Sequence, residues 1–303
     1  MLRNKQLFLL LTLLTTTIAF AQSETIFNSI KFNDTRNSVI KKIEEISAST
    51  KLVNVKSPSF SIAKKTESHL IAENVNIKNE VLKRVVFTFS DGVLSFISVK
   101  GNVKILEAHQ NEQPKEFINF QVYFKSLLFL NLKEDKAWFL TNKSVHPNLF
   151  AWSNPYLNKQ FKKPTYNSSA RLPKFLSMGE NYSKALATFK KKSLFIQIDT
   201  LDGKDPNAQI QINSFGIEFA GFPRKFEARF GDNKLNVIWV LTAKEEENRV
   251  RKELIKAYGK PVFKNNDWEI YNNWTVGLRK DKPEVLFLTQ KLGLKYKKEI
   301  FKQ

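Results

Sequence analysis

Apolar and polar residues alternate along two stretches of the chain in a way that is typical of β-hairpins. In the first stretch, 85–98, an Asp91-Gly92 turn interrupts the alternation, and in the second, 226–239, a turn at Asp232 does so. A Gly-Asp or Asp-Gly pair between alternating runs is a strong hairpin signal. Aligning the two turns pairs Leu94 with Leu235 and Ile97 with Ile238. We therefore interpret the hairpins as equivalent parts of an internal repeat.

The segments before the two hairpins are also similar. Asp34 and Asn181 can each cap a predicted helix whose apolar residues recur at helical spacing. These apolar residues are Val39, Ile40, Ile43 and Ile46 in the first helix and Tyr182, Ala185, Leu186 and Phe189 in the second. Two predicted strands follow each helix, at 52–56 and 69–77 in the first copy and at 194–200 and 208–217 in the second.

After each hairpin the pattern predicts a helix and then a strand that carries tryptophan. The first of these helices runs from Pro114 to about Phe129, with a stripe formed by Phe117, Phe120, Phe124 and Leu128. The second begins at a capping box over 242–245 and ends at Gly259. The strands are 138–140 and 268–271. This order predicts an α+β fold with two tandem similar modules, each an antiparallel sheet with helices packed on one face.

The beginning of the chain has the pattern of a secretory signal peptide over residues 1–21. Arg3 and Lys5 precede an apolar run that is too short to span a bilayer, and small residues stand at Ala19 and Ala21. The remaining boundaries that we predict are a first α+β module at 22–157, a linker at 158–171, a second α+β module at 172–294 and a basic tail at 295–303. The product is expected to be soluble and periplasmic or secreted, with no transmembrane segment after signal cleavage.

The layout of each half resembles a known group of envelope proteins. A capped helix enters an antiparallel meander, and in the second half the segment 254–261 precedes a tryptophan strand. This pattern is similar to the modules of the β-lactamase-inhibitor-protein and SmpA/OmlA envelope group. The resemblance implies an exported, duplicated protein that binds other proteins or supports envelope assembly. Unlike the inhibitor proteins, the chain has no disulfides, and the resemblance assigns no functional residue.

Composition narrows the chemistry that the chain can perform. None of its 303 residues is cysteine, which excludes disulfides, thiolate metal sites, cysteine nucleophiles and lipid-modified cysteine. The formal net charge is +20, and it comes from 49 lysines and arginines against 29 acidic residues. Two interpretations of this charge stay open: a solvated surface, or a face that attracts an anionic envelope component. Because lysine dominates over arginine, nucleic acid is not an expected partner.

Candidate catalytic groups are few. His69, His109 and His146 are scattered and share no motif, and the three glutamates at 245–247 fit the first turn of a helix, where negative charge is favourable. The segment 199–205 resembles a calcium loop but lacks its alternating oxygen ligands and closing Glu, so we interpret it as a turn. We predict no catalytic residue, no metal site, no cofactor and no enzymatic activity.

The aromatic-rich strands that close each half are the best candidates for a binding surface. Strand alternation and residue type assign Trp239 and Trp268 to the core. The candidate binding residues are Trp152, Tyr156, Tyr271, Trp274, Arg279 and Lys280. Tryptophan, tyrosine and arginine are enriched among the residues that dominate binding at protein interfaces.

The sequence therefore predicts an exported, non-catalytic binding or envelope-assembly protein that uses sheet-face aromatics and a basic surface. Its partner would be an envelope protein or an anionic envelope component, and the oligomeric state stays open. Two alternatives also stay open. A contiguous aromatic groove or an apolar cavity would indicate a lipid- or polysaccharide-binding carrier. Two carboxylates that converge in a cleft would indicate a hydrolase.

Overall fold

A computed structural model describes residues 27, 29–56, 58–159 and 165–303. The predicted signal peptide at 1–21 lies outside the described residues, and so does the part of the predicted linker at 160–164. Across the described residues, none of the helices has both the length and the apolar character needed to cross a lipid bilayer.

The chain divides into two compact units, and the division is not a single cut. Within the described residues, the first unit contains the chain up to Val145 and the segment that begins at Ser153. The second unit contains the segment His146–Trp152 and the chain from Thr165 onward. The chain thus contributes one short segment to the second unit before it completes the first.

The first unit is built on an eight-stranded antiparallel sheet. Four strands form a meander, the chain then crosses to the far edge, and four more strands return until the last lies beside the fourth, in the order β1-β2-β3-β4-β8-β7-β6-β5. The strands are β1 (Ser47–Val55), β2 (Glu67–Ile77), β3 (Glu80–Ser90), β4 (Val93–Lys100), β5 (Lys115–Phe117), β6 (Phe120–Tyr123), β7 (Leu128–Asn131) and β8 (Lys136–Leu140).

The second unit repeats this topology in its own eight-stranded sheet. Its strand order is β13-β14-β15-β16-β12-β11-β10-β9, which is the same path followed by the corresponding strands. The strands are β9 (Phe195–Thr200), β10 (Ile210–Phe219), β11 (Phe222–Gly231), β12 (Lys234–Leu241), β13 (Phe263–Lys264), β14 (Trp268–Tyr271), β15 (Val276–Arg279) and β16 (Glu284–Leu288).

The repeat extends to single hydrogen bonds. An isolated bridge joins Thr35 to Val93 in the first unit and Asn181 to Lys234 in the second. The residue after each bridge, Leu94 in the first unit and Leu235 in the second, exchanges backbone hydrogen bonds with the segment that precedes the first helix of its own unit. The hairpin bulges also correspond, at 88–89 and 229–230. The predicted α+β class with two tandem similar modules is confirmed.

Four α-helices lie among the described residues, together with two 3-10 helices. The α-helices are α1 (Arg36–Glu44), α2 (Tyr182–Lys192), α3 (Glu247–Tyr258) and α4 (Gln290–Glu299), and the 3-10 helices are Val103–His109 and Pro147–Ala151. The first helix packs with the first sheet through Val39 and Ile43. In the second unit, α2 and α3 cover one sheet face, which we call the inner face, through Phe189, Val250 and Leu254.

The fourth helix was not expected, and it packs on the opposite side of the second sheet. Its Leu292 joins a buried cluster with Val237, Leu286 and Leu288. Their strand neighbours Ile238 and Phe287 belong to the inner-face core, so alternation places the Leu292 cluster on the other face, which we call the outer face. The predicted module border lies within α4, and so do three lysines of the predicted basic tail, Lys295, Lys297 and Lys298.

The predicted helix from Pro114 to Phe129 is wrong, because this segment forms β5, β6 and β7. Of the phenylalanines that suggest a helical stripe, Phe117 and Phe120 lie opposite each other on paired strands, and Phe124 lies in the turn between β6 and β7. Ile118 and Leu127 have positive φ, which lets the chain turn between strands without the glycine that usually signals such a turn.

The predicted capping box at 242–245 is displaced in the structure. The helix α3 begins at Glu247, and the carboxylate that accepts the N–H of Ala243 (2.7 Å) belongs to Glu246.

Candidate functional site

Three of the six predicted binding residues are buried. Tyr271 is 0% exposed and donates to Glu269 over 2.7 Å, and burial raises its pKa. Trp152 is 5% exposed, and its ring stacks on Phe222 with 6.0 Å between centroids. Tyr156 is 5% exposed and belongs to the first unit, where its ring lies 4.4 Å from that of His69. These three rings stabilise the protein interior and do not present themselves to a partner.

The other three predicted residues, Trp274, Arg279 and Lys280, lie in the second unit and keep part of their surface exposed. Lys280 donates to the carbonyl oxygen of Asn265 over 2.6 Å. Arg279 forms a two-pronged ion pair with Asp281, at 2.8 and 2.9 Å. This hydrogen bonding raises the pKa of Arg279 and lowers the pKa of Asp281.

Trp274 belongs to a continuous row of five rings, which we call the aromatic strip. The strip consists of Trp239, Trp268, Phe301, Trp274 and Phe263, and each residue is half-buried. Centroid distances along it are 6.2 Å from Trp239 to Trp268, 5.6 Å from Trp268 to Phe301 and 5.8 Å from Phe301 to Trp274. Phe263 lies 5.5 Å from Trp274 and 5.4 Å from Phe301. All of these distances are within the range of favourable ring contacts.

Strand alternation and one glycine place the first two rings of the strip. Trp239 lies on the outer face because its neighbour Ile238 faces the inner core. Trp268 reaches across the adjacent strand at Gly277, where a Cβ would come within 3.1 Å of the tryptophan ring. Trp239 and Trp268, which the sequence assigns to the core, pack against the buried Leu292 cluster but keep part of their surface exposed.

The fourth helix supplies the rest of the strip. Gly293 in α4 approaches the loop so closely that a Cβ there would lie 2.4 Å from the carbonyl oxygen of Trp274. This contact fixes the helix beside the loop. Phe301, two residues beyond the end of the helix, is then placed among the rings of Trp268, Trp274 and Phe263.

Three cationic groups lie over rings of the strip. The guanidinium of Arg229 is 6.0 Å from the Trp239 ring, and that of Arg279 is 5.6 Å from the Trp268 ring. The amine of Lys297 is 5.2 Å from the Trp274 ring. These distances fit cation–π attraction, which is strongest on tryptophan. Arg229 and Arg279 are each also paired with a carboxylate, Glu227 and Asp281 respectively. An anionic group that reaches the rings would therefore compete with these carboxylates for the two guanidinium groups.

Among the described residues, the corresponding positions of the first unit are buried. The hairpin register equates Ser98 with Trp239, and the strand beside Ser98 presents Trp138 where the second unit has Leu286. Trp138 contacts Phe120 and Phe129. These three aromatic residues are only 2–6% exposed. The two copies therefore both place aromatic residues on this part of the sheet, but only the second leaves them accessible.

A cluster in the first unit has the residue types of a hydrolytic triad. The His69 ring lies 3.0 Å from the Thr88 hydroxyl through Nδ1 and 2.8 Å from Glu67 through Nε2. His69 and Thr88 are 0% exposed. Glu67 also accepts backbone hydrogen bonds from Ser59 and Phe60. A nucleophile must reach its substrate, and this hydroxyl does not, so the cluster is a buried structural network.

Two carboxylates on the outer face of the second sheet, Glu227 and Glu284, are also weak candidates for catalysis. Glu227 accepts from Lys225 at 2.6 Å and from Arg229 at 3.4 Å, so its oxygens are engaged in ion pairs. Glu284 lies opposite Arg279, and burial raises its pKa. Within the part of the chain that the structure describes, no group of three or more histidine and acidic side chains has the arrangement to hold a metal ion.

Comparisons of the chain with protein-family models, with curated proteins and with solved structures give no match. The aromatic strip is thus identified from its geometry alone. Sequence reasoning found Trp274 and Arg279 but missed Trp239, Trp268, Phe263 and Phe301. The available signal was the small residue Gly277 in a strand that pairs with a tryptophan strand, because it leaves room for a large ring above it.

Proposed function

We propose that this protein is an exported, non-catalytic binding protein, and that the aromatic strip and its cations bind an anionic component of the cell envelope. One observation carries the proposal: five half-buried rings are in continuous contact, and three of them each have a cationic side chain alongside. Residues of these types dominate the energetics of binding surfaces. Such a site supplies apolar contact and positive charge together.

Two other features support the envelope as the setting. The pattern of residues 1–21 predicts export, and the resemblance of the layout to envelope modules, which we retain as a proposal, agrees with it. The net charge of +20 attracts anions from a distance, and the strip provides a place where they are held at close range.

The aromatic strip also bears on the two alternatives. A lipid- or polysaccharide-binding carrier is compatible with the proposal, because such a carrier needs contiguous aromatic surface. A hydrolase is the weaker alternative, since the triad-like groups of the first unit are buried and Glu227 is engaged by two cations.

The test uses heparin as a soluble anionic polysaccharide probe. Binding is followed by tryptophan fluorescence at low and at high salt, because only the charge-dependent part weakens with salt. Replacement of Arg279 and Lys297 by alanine is expected to weaken binding by about thirtyfold, since each of the two cations contributes roughly 1 kcal/mol near an anionic partner.

The matched control replaces Lys190 and Lys191, two exposed lysines of α2, and removes the same charge away from the strip. We expect this control to retain affinity within about twofold, because it loses only long-range attraction. Equal losses in the two double variants would show unspecific attraction and overturn the proposal.

A further inference from the structure

Two exposed aliphatic residues adjoin, along the chain, the rings at one end of the aromatic strip. Val262 is 57% exposed and Ile300 is 53% exposed, which is unusual for large apolar residues. Each is the direct chain neighbour of a ring in the strip, Phe263 and Phe301 respectively. We call Val262, Phe263, Trp274, Ile300 and Phe301 the apolar tip.

The rings hold the apolar tip together. Phe263, Trp274 and Phe301 are mutually in contact, with centroid distances of 5.4 to 5.8 Å. The tip therefore brings segments from β13, from the loop after β14 and from the end of α4 to one place on the second unit. It is a preformed surface built on a sheet and a helix, and little chain would have to become ordered when a partner binds.

Positive charge accompanies the tip. Lys297 lies over the Trp274 ring at 5.2 Å, and Lys260, Lys298 and Lys302 are exposed in the neighbouring chain segments. The segment 290–303 contains five lysines and a single glutamate. Exposed apolar side chains beside clustered lysines form the combination that binds at the interface of an anionic membrane.

On the assumption that the proposed function is correct, we propose that its anionic partner is the surface of a phospholipid bilayer and that the apolar tip inserts into the headgroup region. The transfer of aliphatic side chains such as Val262 and Ile300 from water to the boundary between headgroups and acyl chains lowers the free energy. Tryptophan at the tip suits the membrane interface, where one part of the ring is apolar and the other is wet.

A glycan fits this surface less well than a membrane. Sugar recognition by stacking needs open ring faces, but guanidinium groups lie over Trp239 and Trp268. The rings that accompany the exposed aliphatic residues instead pack against one another. A fluid apolar phase accommodates such an irregular apolar surface, whereas a rigid hydrated sugar does not.

The experiment measures cosedimentation of the full chain with vesicles of phosphatidylcholine alone and of phosphatidylcholine mixed with phosphatidylglycerol. We expect binding to the mixed vesicles and little to the neutral ones. The double variant Val262→Ser and Ile300→Ser is expected to bind the mixed vesicles at least about tenfold more weakly, because two inserted aliphatic side chains are lost. The matched control is Leu194→Ser, which removes an aliphatic side chain that is 69% exposed on the same unit.

A second measurement does not depend on any variant. Brominated lipids quench tryptophan that reaches the acyl boundary, so tryptophan fluorescence of the unchanged protein should fall on brominated anionic vesicles. An absence of quenching, an absence of binding to the mixed vesicles, or unchanged binding by the double serine variant would each overturn the membrane inference.

The two proposals can fail separately. If vesicles are not bound but heparin binding still depends on Arg279 and Lys297, the membrane inference is wrong and the proposed function stands. If heparin binding does not depend on these cations and vesicles are not bound, both are wrong.

Discussion

At Gly277 the absence of a side chain determines where Trp268 lies. A Cβ at this position would be 3.1 Å from the tryptophan ring and 3.2 Å from Ile270, which is closer than most Cβ contacts. We expect Gly277→Val to displace the ring and to destabilise the protein by about 1–3 kcal/mol through overpacking. Tryptophan fluorescence and urea unfolding measure both effects. Gly277→Ala should show a smaller change of the same kind, and an unchanged spectrum in the valine variant would contradict this account.

Glu246 shows how one residue in a polar run can differ from its neighbours. It is buried, accepts two hydrogen bonds from the buried Arg224 at 2.5 and 3.0 Å, and also pairs with Arg249. Burial by itself would raise the pKa of Glu246, but the two guanidinium groups lower it below its ordinary value. The sequence indicates only that a glutamate is favourable in the first turn of a helix. It does not single out Glu246, because Arg224, its buried partner, lies on β11, distant in the sequence.

Loss of the Glu246 charge should therefore be costly. We expect Glu246→Gln to lower the free energy of unfolding by about 3–5 kcal/mol, since a buried guanidinium loses its counter-charge. The control is Asp202→Asn in the exposed pair with Lys204, which should cost no more than about 1 kcal/mol. Urea unfolding of both variants measures the two free energies. Equally small losses of stability in the two variants would contradict the prediction for Glu246.

His146 gives the second unit a pH dependence. Burial lowers its pKa to about 4 from an ordinary value of 6.5, so the folded state binds fewer protons than the unfolded state between these values. The stability contributed by the neutral ring is complete above about pH 6.5 and is lost as the pH falls toward 4, with a slope of at most about 1.4 kcal/mol per pH unit. We expect His146→Asn to flatten this slope in urea unfolding at a series of pH values. Parallel curves for the two proteins would show that the prediction is wrong.

At the scale of elements, α4 depends on a glycine in its interior. Gly→Ala normally stabilises an exposed helical position by up to about 1 kcal/mol. At Gly293 we expect the opposite sign and a loss of several kcal/mol, because the new methyl group would lie 2.4 Å from a backbone oxygen that does not move without the loop. The neighbouring Leu294→Ala, at an exposed position, serves as control. Thermal unfolding measures the difference, and stabilisation by Gly293→Ala would refute the close packing of α4.

The elements that the sequence predicts well are those whose local signals agree with their tertiary surroundings. Both hairpins were predicted correctly, because alternation and a turn signal coincide in them. The strands β5, β6 and β7 were not, because their turns use Ile118 and Leu127 at positive φ and their phenylalanines happen to repeat at helical spacing. Of the site, the sequence predicted Trp274 and Arg279. It could not predict which tryptophans remain exposed, since that depends on where α4 packs.

On the scale of the whole molecule, the two copies share their topology and differ in how one face is used. In both, aromatic residues occupy the corresponding face of the sheet, but those of the first unit are buried and those of the second form the aromatic strip. The two copies thus keep one topology but bury the aromatic residues of this face in the first unit and leave them partly exposed in the second.

The second unit should need the segment His146–Trp152 for its stability. Asn148 in this segment donates to the carbonyl of Leu241 over 3.0 Å and accepts from the N–H of Lys225 over 2.7 Å. A fragment 165–303 leaves this backbone donor without its partner, so we expect it to be less stable than the fragment 146–303 by several kcal/mol. Circular dichroism during urea unfolding compares the fragments. Equal midpoints would mean that the segment contributes nothing to the unit.

The contacts of Asn148 also constrain the time course of folding. They join residues that are 77 and 93 positions apart, so the segment 146–152 leaves the ribosome long before the strands that receive it exist. Contacts that close such long stretches of chain form slowly. The segment is therefore expected to join the second unit only after β12, the fourth of the eight strands of its sheet, has been synthesised, and until then the side chains of this early segment remain available to chaperones.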